Sequence, residues 1–254
     1  MDQRSRYGRV DVGMVARSRS EGFVAAGDGP GRGAMVRWLA AAGVIGTVLF
    51  FALILIIGAT RESYSLLSDE ISQLSASGVA GAWAQTANFI IFGLIVVGLA
   101  VGLHLGITDG EGSVIGPILI GLFGGLAAFG NGVFPTDQYG APETTIGDLH
   151  SLTAGIGFVA VLVAMFVLPR RLRQDPEWSD LAGISRWMGV GATALMVLYL
   201  FASEVEGFLD GYVGLIQRIF AAVVLIWLFI LSLRLYQIST RATRATSHAV
   251  APEA

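Results

Sequence analysis

The chain has no cysteine and no lysine. Without cysteine there can be no disulfide, no thiolate metal site and no cysteine nucleophile. All 16 basic residues are therefore arginine, which excludes Schiff-base chemistry and a P-loop lysine. Charge of either sign is scarce: Asp, Glu and Arg make up 14% of the 254 residues, against about 25% in a soluble domain. Histidine occurs only at 104, 150 and 248, too far apart for an all-histidine zinc motif. A net charge of −3 gives no reason to expect nucleic acid as a partner. What remains is apolar, with 54% hydrophobic residues and a mean hydropathy of +0.69.

That apolar content is concentrated in six runs with little or no charge, near 38–58, 87–106, 113–134, 149–169, 187–205 and 214–236. Each has roughly the 17–25 residues that a helix needs to cross the hydrocarbon core. None alternates apolar and polar as a barrel strand does. The fold expected is all-α: a polytopic membrane bundle of six transmembrane helices. Residues 1–37 are too polar to fold and read as a disordered cytoplasmic N-terminal segment. Residues 38–236 form the membrane domain, and 237–254 a cytoplasmic tail. The first run follows 37 residues, too many for a signal-peptide n-region, so it reads as a retained span.

Arginine sets the expected orientation. Arg4, Arg6, Arg9, Arg17, Arg19, Arg32, Arg37, Arg170, Arg171, Arg173, Arg186, Arg234, Arg241 and Arg244 fall on one side of six alternating spans. Only Arg61 and Arg218 fall on the other. The positive-inside rule then puts both termini in the cytoplasm of a cell-membrane protein. Trp38, Trp83 and Trp187 lie at span ends, as in an aromatic belt. Gly98 with Gly102, and Gly121 with Gly125, form GxxxG pairs. Small residues let helices approach closely. They serve internal packing or, as the alternative, a homo-oligomer face.

Nine acids lie in the outer loops: Glu62, Asp69, Glu70, Asp137, Glu143, Asp148, Glu204, Glu206 and Asp210. In the first of these loops Tyr64, Leu67, Ile71 and Leu74 share a helical face, so a short interfacial helix is expected there, with Asp69, Glu70 and Gln73 pointing elsewhere. In the second, Pro135 ends span three, which holds Asp137 just above the helix end, while His150 opens span four. The two side chains can meet across the loop. A carboxylate there would fix the imidazole for proton transfer or, with Glu206 or Asp69, for a metal. The alternative is a structural pair. Arg218 lies about one turn inside span six, where an unpaired arginine is costly. Glu204 or Glu206 is its expected partner, with Asp137 a candidate across the bundle, and an anion clamp is the functional alternative. Asp137, His150 and Arg218 are expected to line one outward-facing polar pocket. Asn88 reads as interhelical glue.

These residues also carry a resemblance. Tyr64, Ile71-Ser-Gln-Leu74, Trp83, Asn88, Gly132-Val-Phe-Pro-Thr-Asp137, Gly147-Asp-Leu-His150, Gln217-Arg218 and Trp227 resemble the pattern of the domain-of-unknown-function 998 family of prokaryotic integral membrane proteins, over residues 38–236. The resemblance implies a six-span membrane protein and no activity. Two functional readings follow. One is a binding protein for a lipid or small ligand, with Arg218, Glu206, Glu204, Asp137 and His150 as binding residues. The other is an intramembrane hydrolase or transferase acting on a lipid-linked substrate, with Asp137 and His150 as acid–base groups. Neither calls for a cofactor or a metal, and membrane lipids are the expected partners.

Overall fold

The computed structural model describes residues 30–107 and 113–249. The basic segment 1–29, the loop residues 108–112 and the last five residues, on which parts of the expected topology rest, lie outside the described residues. Six helices are long and apolar enough to cross a membrane, and there is no strand among the described residues. They are α1 (Pro30–Ala59), α2 (Ala82–Gly106), α3 (Ile115–Val133), α4 (Thr145–Leu172), α5 (Leu181–Glu204) and α6 (Val213–Ala249). All-α architecture and six spans are as the sequence implies. The boundaries differ: α1 starts at Pro30, a residue suited to the first helical position, and α6 runs to Ala249.

Each helix packs on its neighbours in sequence, and α6 closes the ring against α1. Loops 60–81, 134–144 and 205–212 gather at one end, called here the acidic end. The opposite, arginine-rich end is tied by Arg234, which donates to both carboxylate oxygens of Asp180 at 2.9 and 2.5 Å. There Arg171, buried in α4, also donates to the carbonyls of His104 and Ile107 at the end of α2. Such bonds satisfy carbonyls that the helix itself leaves free.

The stop signals act as expected at α3, where Phe134, constrained by Pro135, leaves the helix in an extended conformation (φ −109°, ψ 95°). Within α3, residues Phe123–Gly130 form a π-helix, a wider turn common at functional sites. It fits because Gly93 of α2 has no side chain: a Cβ there would lie 2.4 Å from Phe129 N. Gly98 and Gly102 likewise meet Leu39 and Leu235 of the same chain. Asn88 joins α2 to α1 by donating to the Phe50 carbonyl at 3.2 Å. The expected interfacial helix is shorter than its pattern, a 3₁₀ turn at Ile71–Ser75. Ile71 and Leu74 are buried in it, capping the bundle, while Leu67 stays exposed.

Candidate functional site

The loop before that 3₁₀ turn is seated by Arg218. The Nη1 of Arg218 donates to the Asp69 carbonyl at 2.7 Å and to the Gly214 carbonyl at 2.8 Å. Its Nη2 donates to the Tyr64 hydroxyl, and its Cζ stands 5.4 Å from the Tyr64 ring centroid. The Tyr64 hydroxyl in turn donates to the Glu70 carbonyl at 2.9 Å. Burial pushes this phenol up to about 12, against the opposing pull of Arg218. The first amides of α6 complete the seat: Gly214 N donates to Ser68 O and Leu215 N to Leu67 O. Those amides have no partner within the helix itself. A Cβ at Gly214 would lie 2.2 Å from the Asp69 carbonyl, so only glycine fits.

This corrects the expected ion pair. Arg218 is 4% exposed, yet among the described residues no carboxylate bonds to it; Glu204, at the end of α5, and Glu206, in the loop after it, are both exposed. Carbonyl dipoles, closer than any acid, take the place of the counterion. Arg61 is used in the same way, on the carbonyls of Leu74 and Ala80.

The expected meeting of Asp137 with His150 is not made either. Both carboxylate oxygens of Asp137 accept from Thr144, from its amide at 2.8 Å and its hydroxyl at 2.9 Å. Thr144 caps α4 by accepting from the Gly147 amide at 3.1 Å, the standard way to satisfy a first-turn N–H. A Cβ at Gly147 would lie 2.0 Å from Asp137 Oδ2, so glycine makes room for the carboxylate. Asp137 thus holds the helix cap. We predict that Asp137→Ala and Thr144→Ala each lower stability by about 1 kcal/mol. The double variant should cost little more than either alone, since both remove one unit; unfolding in detergent measures all three. Full additivity would show that the two side chains act apart.

His150 does face inward. It is 5% exposed, and its Nδ1 donates to the Phe134 carbonyl at 2.8 Å. In a neutral imidazole this leaves Nε2 as an acceptor. His150 forms part of the wall of a cavity of about 980 Å³ that all six helices help to line. Asp137 and Arg218 are not among its lining residues, whereas Glu204 and Glu206 are.

At the acidic end the cavity has a polar head centred on Glu70. Glu70 accepts from the Tyr199 hydroxyl and, at 3.4 Å, from the Tyr139 hydroxyl. Gln217 links the head to the cap: its Oε1 accepts from the Ile71 amide at 2.7 Å, and its Nε2 donates to Tyr199 at 3.4 Å. Burial, then the Glu70 charge, raises the Tyr139 phenol far above its ordinary range. Below this head the walls are apolar, with Phe89, Phe123, Phe158, Leu162, Phe220 and Leu225. From His150 to Leu162 the α4 wall runs about 18 Å at 1.5 Å per residue. Near the arginine-rich end α4 and α5 touch closely, where a Cβ on Gly189 would lie 3.0 Å from that of Met165. Toward the acidic end, residues of α4 and α5 line the cavity instead.

Sequence reasoning missed Glu70, Tyr139 and Tyr199. Tyr199 carried a usable signal, as a polar side chain low in an apolar span. Glu70 carried none, because its direction depends on how the loop seats on Arg218.

A family model described as "Protein of unknown function (DUF998)" matches residues 44–234. No curated protein and no solved structure matches the chain.

Proposed function

Since the chain belongs to the DUF998 family, whose description names no activity, its role has to be argued from its own cavity, and we propose that this multi-pass membrane protein binds an amphiphilic lipid or a small ligand of that shape. One observation carries the reading: a polar head and a long apolar shaft share a single cavity. Its volume is at the upper end of the 300–1,000 Å³ typical of ligand pockets, which are also mostly apolar with a few polar groups. The shaft is comparable in length with half of a roughly 30 Å hydrocarbon core. Val159 of α4 and Leu200 of α5 line the cavity and are also exposed, which makes the α4–α5 side the lateral way in from the bilayer. Glu204, Glu206 and His150 line the cavity, while Arg218 seats the loop that carries Glu70 and Asp137 holds the cap of α4.

The arginine distribution supports the orientation that goes with this reading, with both termini cytoplasmic and the cavity head at the outer surface of the cell membrane. Reporter fusions at either terminus should be active only in the cytoplasm; activity outside would reverse the orientation. The hydrolase or transferase reading has less behind it. Its acid–base pair needed Asp137 against His150, and Asp137 is engaged with Thr144.

The cavity reading has a direct test. Gly155 lines the cavity and a Cβ there meets nothing within 4 Å, so Gly155→Trp is the substitution chosen to fill space at the cavity wall. Purified from its own membranes, the native protein should retain a distinct lipid by mass spectrometry, and Gly155→Trp should lose most of it at unchanged melting temperature. Equal lipid in both would refute the cavity as the site.

A further inference from the structure

The cavity head offers acceptors and negative charge. Its lining includes Asp69, Glu70, Glu204, Glu206 and Asp210 and no arginine. The two cations of the acidic end are spent elsewhere, Arg218 on the carbonyls of Asp69 and Gly214 and Arg61 on those of Leu74 and Ala80. His150 is a second and independent pointer. It is almost wholly buried, its Nδ1 is committed to Phe134, and its Nε2, an acceptor in the neutral ring, makes no hydrogen bond among the described residues. Nε2 is therefore an acceptor at the cavity wall that a ligand N–H can use. Glu70 keeps unused lone pairs, because a carboxylate has about four acceptor sites and the two tyrosines fill only some of them.

Resting on the lipid-binding reading, we propose that the occupant is an amphiphile with a protonated amine head, its N–H groups donating to Glu70 and His150 Nε2 and its chain lying in the aromatic shaft. A phosphate or carboxylate head is disfavoured twice. It would find no guanidinium or ammonium in the lining, and it would face the acids at close range, where like charges repel strongly. A neutral sugar head supplies donors but gains nothing from the charge.

The experiment compares dodecylamine, dodecyl phosphate and dodecyl glucoside as probes. Each is titrated into the purified full chain in a neutral detergent, and native mass spectrometry reads retention. The expected result is amine binding at least tenfold tighter than phosphate, abolished by Gly155→Trp. Glu70→Gln should weaken the amine about tenfold or more and leave the glucoside nearly unchanged. His150→Phe, which removes the Nε2 acceptor but keeps a ring in the wall, should weaken the amine also and serves if Glu70→Gln fails to fold. Phosphate binding as tight as the amine, still lost in Gly155→Trp, would overturn the amine head while leaving the cavity as the site. So would glucoside binding as tight as the amine. No probe lost in Gly155→Trp would overturn both.

Discussion

Arg218→Met should lower the stability of the bundle by about 3 kcal/mol or more, while Glu204→Gln and Glu206→Gln leave it unchanged. The cause is the seat described above. Methionine fills a similar volume but leaves the carbonyls of Asp69 and Gly214 and the hydroxyl of Tyr64 without their donor. Hydrogen bonds to a charged group contribute about 1.5–3 kcal/mol each, and buried acceptors left unmade cost a comparable amount. The three share one guanidinium, so their losses do not simply add. Arg218→Lys should recover only part, because an ammonium lacks the planar fork that reaches two carbonyl groups and a hydroxyl together. Unfolding in mild detergent checks the series. If Glu206→Gln or Glu204→Gln cost as much as Arg218→Met, the arginine would be held by an ion pair after all.

Gly93→Ala should be nearly as damaging, although it adds one methyl group. Its Cβ would lie 2.4 Å from the amide nitrogen of Phe129 and 2.6 Å from the carbonyl oxygen of Gly124. Both are backbone atoms of the π-helix, so no rotamer change relieves the contact, and α2 and α3 must part. Overpacking typically costs about 1–3 kcal/mol, and a backbone clash belongs at the top of that range. Gly157→Ala should behave alike, since its Cβ would lie 2.6 Å from Ala127 N on the opposite side of the same segment. Gly125→Ala is the control. Nothing lies within 4 Å of its Cβ, and alanine is the better helix former by about 1 kcal/mol; its stability should hold or rise. Equal melting temperatures for Gly93→Ala and Gly125→Ala would contradict the close approach of α2 to α3.

The residues that were legible in the sequence are those whose position follows from chain-local rules. Span length and apolarity gave the six helices. Pro135 stopped α3 where it stands, and Asn88, polar in an apolar span, proved to be a link to a neighbouring helix. His150 was recognised as facing the interior because span four begins there. Residues whose partners are set by how loops dock were misread. Asp137 and His150 are at one level, yet the nearer donor to Asp137 is Thr144, seven residues along the same loop. Arg218 and the acids were counted as charges, whereas the contacts that form are to carbonyl groups, which every residue carries and no sequence pattern marks. Glu70 was set aside because a regular helix through Tyr64–Leu74 turns it outward. The loop is instead irregular up to Glu70, and that aims the carboxylate at Tyr199 and Tyr139. The glycines of α3 were read as a packing stripe, which is sound for Gly121 against Ala100. The π-helix in the same segment puts Phe123, Ala127 and Ala128 in the cavity wall, and hydropathy does not register it.

The cavity is expected to hold a chosen amphiphile in the cell. Benzoylphenylalanine placed at Phe158, in the aromatic shaft, and separately at Val163, on the exposed apolar face of α4, would capture what touches each position on illumination of intact cells. Mass spectrometry of the adducts should show one dominant species at Phe158, distinct from the mixture at Val163 and lost when Gly155→Trp is added. The same lipid mixture at both positions, or no adduct at Phe158, would contradict it.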